Sequence, residues 1–303
     1  MITVKNLRKT YGSRTAVDDL SFDLAAGRVT GFVGPNGAGK STTMRMMVGL
    51  TRADRGSVAY DGVDYTDLRD PARVVGAVLD ARCMHPGRTA RQHLRATAAA
   101  SRISMDRVDT VLAEVGLETA ADQRAGGFSL GMRQRLALAG ALLGEPQVLL
   151  LDEPSNGLDP DGIRWLRAYL TAFAKQGGTV FVSSHLISEL AMFADDLVVV
   201  GAGKLLAAEP VSTITARNAR VVVVETIHPS DLARLAQRLT EAGLTVEVAG
   251  TQLLVHGGGR RSVAELAHGN DIPVLELTET SRSLEDSLLD LTAGSAEFAS
   301  SEG

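Results

Sequence analysis

The stretch Gly34-Pro35-Asn36-Gly37-Ala38-Gly39-Lys40-Ser41 decides the fold, because it matches the pattern G-x-x-x-x-G-K-[ST] in full. Glycines in such a loop let backbone N–H groups turn inward around phosphate oxygens. The ammonium group of Lys40 would reach the β- and γ-phosphates, and the hydroxyl of Ser41 would ligate Mg²⁺. These residues therefore predict a loop that holds the phosphates of a nucleotide.

The segments around this loop predict its structural setting. The apolar residues Val29–Val33 predict a strand that enters the loop, and residues 40–48 predict an amphipathic helix that leaves it. The positive end of that helix would point at the bound anion. Two later apolar runs, Val148–Leu151 and residues 179–182, predict further buried strands. Buried strands that alternate with helices predict a largely parallel α/β sheet.

Polar residues follow both of these later strands. Asp152 and Glu153 come directly after Val148–Leu151, and His185 follows residues 179–182 and two serines. Ligands bind at the carboxyl ends of parallel strands. Asp152 suits the Mg²⁺ shell, and Glu153 is placed to orient and polarise an attacking water. His185 is placed to contact the γ-phosphate or to hold that water.

A second anion-binding helix start is predicted at Ser129-Leu130-Gly131-Met132-Arg133-Gln134-Arg135. Ser129 is a good N-cap for the apolar helix that follows it. Because the phosphate loop already serves the chain's own nucleotide, this second helix start is most simply used on a nucleotide held by another copy. A plain capped helix would have the same pattern, so this hypothesis depends on the other motifs.

Three regions divide the chain. Residues 1–211 carry all of these motifs and include a helix-rich insert at about 89–141. Residues 219–292 have the order βαββαβ, which predicts a small α+β domain of the ferredoxin-like kind. A capping box at 283–286 predicts its last helix, which bears Leu284, Leu288 and Leu291. The small polar residues at 293–303 predict a flexible tail.

The composition narrows the class of protein. The chain is 45% hydrophobic and 22% charged, which is typical of a globular protein and excludes disordered and fibrous classes. A net charge of -5 argues against nucleic acid as a partner. The single cysteine, Cys83, excludes a disulfide framework and indicates a reducing cytosol. Residues 1–6 lack a signal-peptide core, and no apolar run approaches the roughly 18 residues of a membrane span.

Taken in order, these segments resemble the ATP-binding subunits of ABC transporters over residues 1–211. The phosphate loop is similar to the Walker A motif, and Val148–Leu151 with its two carboxylates is similar to the Walker B motif. Residues 128–132 stand at the signature position, residues 155–159 resemble the D-loop, and His185 resembles the switch histidine. The expected fold is therefore α/β: a P-loop NTPase (ABC-type) domain with a helical subdomain, plus the small ferredoxin-like C-terminal domain.

The resemblance also implies roles for single residues toward ATP and Mg²⁺. Tyr11 would stack on adenine, and Lys40, Glu153 and His185 would be catalytic. Ser41, Asp152 and Asp80 would ligate Mg²⁺. The implied nucleotide-binding residues are Tyr11, Gly34, Pro35, Asn36, Gly37, Ala38, Gly39, Lys40, Ser41, Thr42, Asp80, Ser129, Gly131 and Asp159.

The resemblance further implies an assembly. Two copies of the chain, or one copy and a homologous ATPase, would sandwich two ATP molecules head to tail. The helical insert would dock on an integral membrane permease, so that the chain is cytoplasmic and peripheral on the inner face of the cell membrane. No nucleic acid is expected as a partner.

Three positions depart from the family pattern. Leu130 and Met132 stand where the common signature has glycine and glutamine, and Asp80 stands at the usual glutamine of the Q-loop. These departures and the extra C-terminal domain resemble the branch that exports drugs and antibiotics. The implied function is ATP-driven export of a small molecule, whether drug, antibiotic or lipid-like.

Two other classes of protein compete with this interpretation. A non-transport ABC ATPase acting on ribosomes or nucleic acid usually carries two ATP domains or a long coiled coil, whereas this chain has one such domain and no sustained heptads. The other class is a different phosphate-loop enzyme, such as a GTPase or a kinase. The guanine-reading motif Asn-Lys-x-Asp is absent from the sequence, and the segment 129–135 would have no explanation in such an enzyme.

Overall fold

The computed structural model describes residues 1–80, 84–217 and 220–281. The expectations for Cys83, for the capped helix at 283–286 and for the tail at 293–303 fall outside these residues. The described residues form two compact units, 1–211 and 212–281. Among the described helices, none is long and apolar enough to cross a membrane.

The first unit contains two sheets. Its strands are β1 (Ile2–Tyr11), β2 (Arg14–Leu24), β3 (Val29–Val33), β4 (Arg55–Tyr60), β5 (Val63–Asp64), β6 (Val75–Val78), β7 (Val148–Leu151), β8 (Thr179–Ser184), β9 (Asp196–Gly201) and β10 (Lys204–Pro210). An antiparallel sheet has the order β2-β1-β4-β5. The other sheet has the order β10-β9-β3-β8-β7-β6 and is parallel except at β10. The predicted, largely parallel sheet is thus confirmed.

The first unit also contains helices, labelled in chain order. They are α1 (Lys40–Met47), α2 (Pro71–Val74), α3 (Ala90–Ala100), α4 (Asp106–Glu114), α5 (Leu130–Leu142), α6 (Pro160–Lys175) and α7 (Ile187–Ala191). Helices α3, α4 and α5 pack on one another and form the helical insert. Helix α3 begins with a capping box in which Thr89 and Gln92 exchange side-chain to backbone hydrogen bonds.

The core of the first unit lies between its two sheets. Phe22 from β2 packs against Phe32 from β3 and Phe181 from β8, with ring centroids 4.8 to 6.0 Å apart. Met44 and Met47 of α1 are fully buried in the same cluster. Because α1 is anchored there through its apolar face, the loop that precedes it is held at the carboxyl end of β3.

The second unit begins within helix α8 (Val211–Arg217). Its elements are β11 (Arg220–Thr226), α9 (Pro229–Glu241), β12 (Thr245–Ala249), β13 (Gln252–His256), α10 (Arg260–Gly269) and β14 (Val274–Ser281). The sheet order is β12-β13-β11-β14, and every pairing is antiparallel. This is the strand order of a ferredoxin-like sheet. Leu235 and Leu239 of α9 and Val263 of α10 bury one face of the sheet.

Candidate functional site

The loop between β3 and α1 has the backbone shape that phosphate binding needs. Gly39 has a φ of +100°, in the left-handed region, and a Cβ atom at this position would clash with the carbonyl oxygen of Ala16. No described side chain caps the start of α1. The first N–H groups of this helix are therefore available to an anion.

The ammonium group of Lys40 is held inside this loop. Its Nζ donates to the carbonyl oxygens of Gly34 (2.6 Å) and Pro35 (3.3 Å), and the side chain is only 5% exposed. Burial lowers the pKa of Lys40, and the nearby carboxylates of Glu153 and Asp152 only partly offset that effect. The two carboxylates therefore stabilise the buried ammonium group only in part, and bound phosphate oxygens would add the remaining negative charge.

Glu153 lies opposite Lys40 and is held by three side chains. Its Oε1 is 3.6 Å from Lys40 Nζ, while its Oε2 accepts a hydrogen bond from Asn156 Nδ2 (2.5 Å) and lies 3.0 Å from His185 Nδ1. Burial raises the pKa of Glu153, but the hydrogen bonds of Asn156 and His185 and the charge of Lys40 outweigh it, so the pKa lies below its usual range. The carboxylate is ionised at neutral pH, as a group that accepts a proton from water must be.

The backbone at Glu153 is also unusual. Its φ is +47°, which is uncommon for a residue other than glycine. Ser183, at the end of β8, bridges the two carboxylate residues: its Oγ accepts from the Glu153 N–H (2.8 Å) and donates to Asp152 Oδ1 (2.6 Å). Since β7 and β8 are parallel neighbours, this bridge fixes the carboxylate of Asp152 and the backbone of Glu153.

An open cavity of about 380 Å³ collects these groups. Lys40 and Glu153 lie on its wall together with most of the predicted loop residues and the exposed ring of Tyr11. Residues predicted for the site that line it are Tyr11, Asn36, Gly37, Gly39, Lys40, Ser41, Thr42 and Glu153. Gly34, Pro35, Asp152 and His185 join through the hydrogen bonds given above. Ala38 is buried beneath the loop.

Besides the five residues just placed behind the cavity wall, four more predicted residues do not line this cavity in the described part of the chain. Ser129 caps α5 by accepting from the Met132 N–H (3.2 Å), and Gly131 lies in the first turn of α5 beside Leu158. Asp159 caps α6 by accepting from the Gly162 N–H (2.7 Å). Asp80 is exposed and lies two residues beyond β6. One copy of the chain therefore brings together only part of the predicted set.

The turn that follows Glu153 connects the site to the start of α5. Ser155 Oγ donates to Glu189 Oε2 on α7 (3.0 Å), and Gln134 Nε2 of α5 donates to the carbonyl oxygen of Pro154 (2.7 Å). Gly157 has a φ of +73° and lies against Leu130. The start of α5 is thus bound directly to the turn that follows Glu153.

Sequence reasoning missed several residues of the site. Arg14 and Ala16, from the start of β2, line the cavity. Ser183 and Asn156 hold the two carboxylate residues. A signal for Ser183 was present, since it directly follows the predicted strand at residues 179–182, whereas nothing local in the sequence indicates Arg14.

The residues present fit a nucleotide with its magnesium ion. The described residues hold no cluster of three or more metal-ligating side chains. Mg²⁺ in nucleotide sites needs only one or two protein ligands, because phosphates and water complete its octahedral shell. Ser41 on the cavity wall and Asp152 behind Glu153 provide a hydroxyl and a carboxylate of the required kind.

Comparison with known families supports this interpretation of the geometry. A family model described as ABC transporter matches residues 17–156. A second model, described only as a domain of unknown function, matches residues 220–285. Among solved structures, one of an ATP-binding subunit of an ABC transporter has a TM-score of 0.65 and 27% identity, covering 72% of this chain and 92% of that one. A dimeric bacterial ABC transporter cassette has a TM-score of 0.63 and 26% identity, covering 70% and 99%.

Individual relatives match over the full length. An uncharacterized ABC transporter ATP-binding protein, YhcH of Bacillus subtilis, is 34% identical over 98% of this chain and 97% of its own. The bacitracin transport ATP-binding protein BcrA of Bacillus licheniformis is 34% identical, over 97% and 98%. The Nod factor export ATP-binding protein I of Rhizobium leguminosarum is 33% identical, over 96% and 94%. Because these likenesses span both units, the chain belongs to the ABC transporter family, as one of its ATP-binding and ATP-hydrolysing proteins.

Proposed function

We propose that this ATPase powers the export of a small molecule, whether drug, antibiotic or lipid-like, through a separate integral membrane permease. The observation that carries the proposal is the end-to-end likeness to ATP-binding proteins named for bacitracin transport and Nod factor export. The second unit is part of that likeness, since the matches cover 96% or more of this chain.

The side chains of the cavity have distinct roles in this proposal. Lys40 leaves the carbonyl oxygens of Gly34 and Pro35 and binds the β- and γ-phosphates. The ionised carboxylate of Glu153 orients the attacking water and accepts its proton, while His185 holds that carboxylate and lies near the γ-phosphate. Ser41 and Asp152 would hold Mg²⁺, which neutralises charge on the phosphates when it is bound. Tyr11 stacks on adenine.

A second copy of the chain completes each site. Ser129 and Gly131 lie at the N-terminal end of α5, and this end carries a partial positive charge that favours an anion. They do not line the cavity of their own copy among the described residues. The proposed assembly is therefore a head-to-tail pair in which these residues and Asp159 face the partner's nucleotide. The partner is a second copy or a homologous ATPase.

Asp80 and the helical insert are proposed to face the permease. Asp80 follows β6 in the Q-loop position, where its carboxylate would serve both the Mg²⁺ shell and the contact with the membrane partner. Through that partner the chain would lie on the inner face of the cell membrane. The proposal includes no nucleic acid.

The test is affinity capture of the full-length tagged chain from detergent-solubilised membranes of its native host. We expect one integral membrane protein with several spans to co-purify. The ATPase activity of this chain in the complex should change when bacitracin or another exported compound is added. Lys40→Ala should retain the membrane protein while losing turnover, because the docking surface is separate from the phosphate loop. Recovery of ribosomes or DNA in place of a membrane protein would support a non-transport ABC ATPase.

A further inference from the structure

The hairpin of β1 and β2 carries two side chains toward the nucleotide cavity. Tyr11, the last residue of β1, pairs directly with Arg14, the first residue of β2. Both side chains lie on the cavity wall. Because the two strands are joined by a tight turn at Gly12 and Ser13, the aromatic ring and the guanidinium group are held side by side.

The guanidinium group of Arg14 is without a partner among the residues that the structure describes. Within the described ranges it has no ion pair and no hydrogen bond, in contrast to Arg8 and Lys9 of the same hairpin, which pair with Asp18 and Asp54. Lys9 donates to Asp54 Oδ1 (2.9 Å) and lies 5.4 Å from the centroid of the Tyr11 ring. A cation that lines an anion-binding cavity without a carboxylate partner is available to the anion.

Arg14 also lies close to the phosphate loop. A Cβ atom on Gly37 would be 3.1 Å from an Nη atom of Arg14. Gly37 has a φ of +83°, at the turn of the loop that wraps the phosphates. The guanidinium group therefore lies beside the part of the loop that wraps the phosphates, while the neighbouring Tyr11 ring is the group assigned to the base.

We propose that Arg14 is a further nucleotide-binding residue, which donates hydrogen bonds from its guanidinium to phosphate oxygens of ATP. This inference rests on the ATP binding described above and adds to it a contact from the antiparallel sheet. The planar guanidinium presents several N–H donors in a fixed fork that matches two phosphate oxygens at once. With Lys40 on one side and Arg14 on the other, the triphosphate is bound by one cation from helix α1 and one from the β1–β2 hairpin.

The test is an equilibrium competition experiment on the full chain, in which competitors displace a fluorescent ATP analogue. The competitors are ATP, inorganic tripolyphosphate, which lacks the base, and adenosine, which lacks the phosphates. Arg14→Ala should weaken the affinities for ATP and tripolyphosphate by the same factor, about tenfold for the loss of one charge-assisted contact. The affinity for adenosine should be unchanged. Arg14→Lys should be intermediate for both phosphate ligands, because it keeps the charge but loses the fork.

The matched control is Arg95→Ala, which removes an exposed arginine of α3 far from the phosphate loop in sequence, and it should leave all three affinities unchanged. Thermal unfolding without nucleotide should be the same for wild type and Arg14→Ala. Unchanged tripolyphosphate affinity in Arg14→Ala, including a result in which only adenosine weakens, would overturn the inference alone. Failure of the wild-type chain to bind ATP would overturn the ATPase assignment together with it.

Discussion

At the scale of single residues, Glu153 is the point where the tertiary contacts of the site meet. Its carboxylate faces Lys40 through one oxygen and is held by Asn156 and His185 through the other. Its backbone N–H is held by Ser183. A carboxylate held from several sides can direct a water molecule with little loss of conformational entropy at the moment of reaction.

Glu153→Gln should bind ATP with nearly the affinity of the wild type but hydrolyse it at least about 100-fold more slowly, the usual contribution of a general base. The amide keeps the size of the side chain and cannot accept the proton. Phosphate release measures turnover, and gel filtration with ATP should reveal an accumulated dimer. The exposed Glu118 offers a matched control: turnover should be normal in Glu118→Gln. Normal turnover in Glu153→Gln would refute the role of this carboxylate.

At the scale of secondary-structure elements, the start of α5 has both a local and a long-range role. Ser129 caps the helix within its own copy, and in the proposed pair the same end of the helix meets the partner's ATP. A cap is worth about 1 kcal/mol of stability. A substitution at Ser129 therefore lowers stability and also removes the contact with the partner's ATP, and the two effects need separate measurement.

Ser129→Ala should lower the thermal unfolding midpoint slightly, retain ATP binding, and reduce ATP-driven dimerisation and turnover. Thr89→Ala removes an equivalent cap from α3, where Thr89 Oγ1 accepts from the Gln92 N–H (3.1 Å). This control should lose comparable stability, about 1 kcal/mol, without loss of dimerisation. Equal effects of both variants on turnover would mean that Ser129 acts only as a cap.

The β1–β2 hairpin is anchored by the carboxylate of Asp54, which lies outside it. Asp54 accepts hydrogen bonds from Lys9 Nζ (2.9 Å) and from the Thr10 N–H (2.7 Å). The hydrogen bond from Lys9, followed by that from Thr10, lowers the pKa of Asp54. Because the folded state favours the ionised form, this stabilisation is present above the ordinary Asp pKa of about 3.9 and is lost as the pH falls through the folded value.

Asp54→Asn should therefore lower the thermal unfolding midpoint at neutral pH, and the difference from wild type should shrink as the pH falls below about 4. ATP affinity should weaken at the same time, since the anchored strand carries Tyr11. Calorimetry over a pH series measures the first effect, with Asp23→Asn on the exposed side of β2 as control. A difference that persists at low pH would contradict the assignment to the Asp54 charge.

At the scale of the whole molecule, the proposed site is divided between two copies. A Lys40→Ala chain lacks the phosphate-binding cation of its own site, and a Ser129→Ala chain lacks the contact that it would make with its partner's ATP. In a mixed pair, the phosphate loop of the Ser129→Ala chain and the α5 start of the Lys40→Ala chain form one intact site. Each variant alone should have little turnover. A mixture should recover up to about a quarter of wild-type turnover, because half of randomly formed pairs contain one intact composite site out of two.

Phosphate release at a fixed total protein concentration, measured across mixing ratios, tests this complementation. Activity should peak near equal amounts of the two variants. A mixture no more active than the average of its components would exclude a site shared between copies and would favour a monomeric ATPase.

The sequence by itself determined the elements and the chemistry that is local. The phosphate loop, the strand Val148–Leu151 with its two carboxylates, the cap at Ser129 and the βαββαβ order of the second unit all follow from side-chain periodicity and turn chemistry, which act over a few residues. The strands β2, β4, β5, β6 and β10 were not predicted.

Only the tertiary structure decided which distant groups meet. It places Arg14 beside the phosphate loop, joins Asp152 and Glu153 through Ser183, and brings Asn156 and His185 to one oxygen of Glu153. These contacts depend on strand order and on how the two sheets pack, and both are set by the burial of apolar surface over the whole unit. Local sequence patterns do not indicate that packing. The sequence alone could therefore name the candidate reacting groups but not the side chains that hold them.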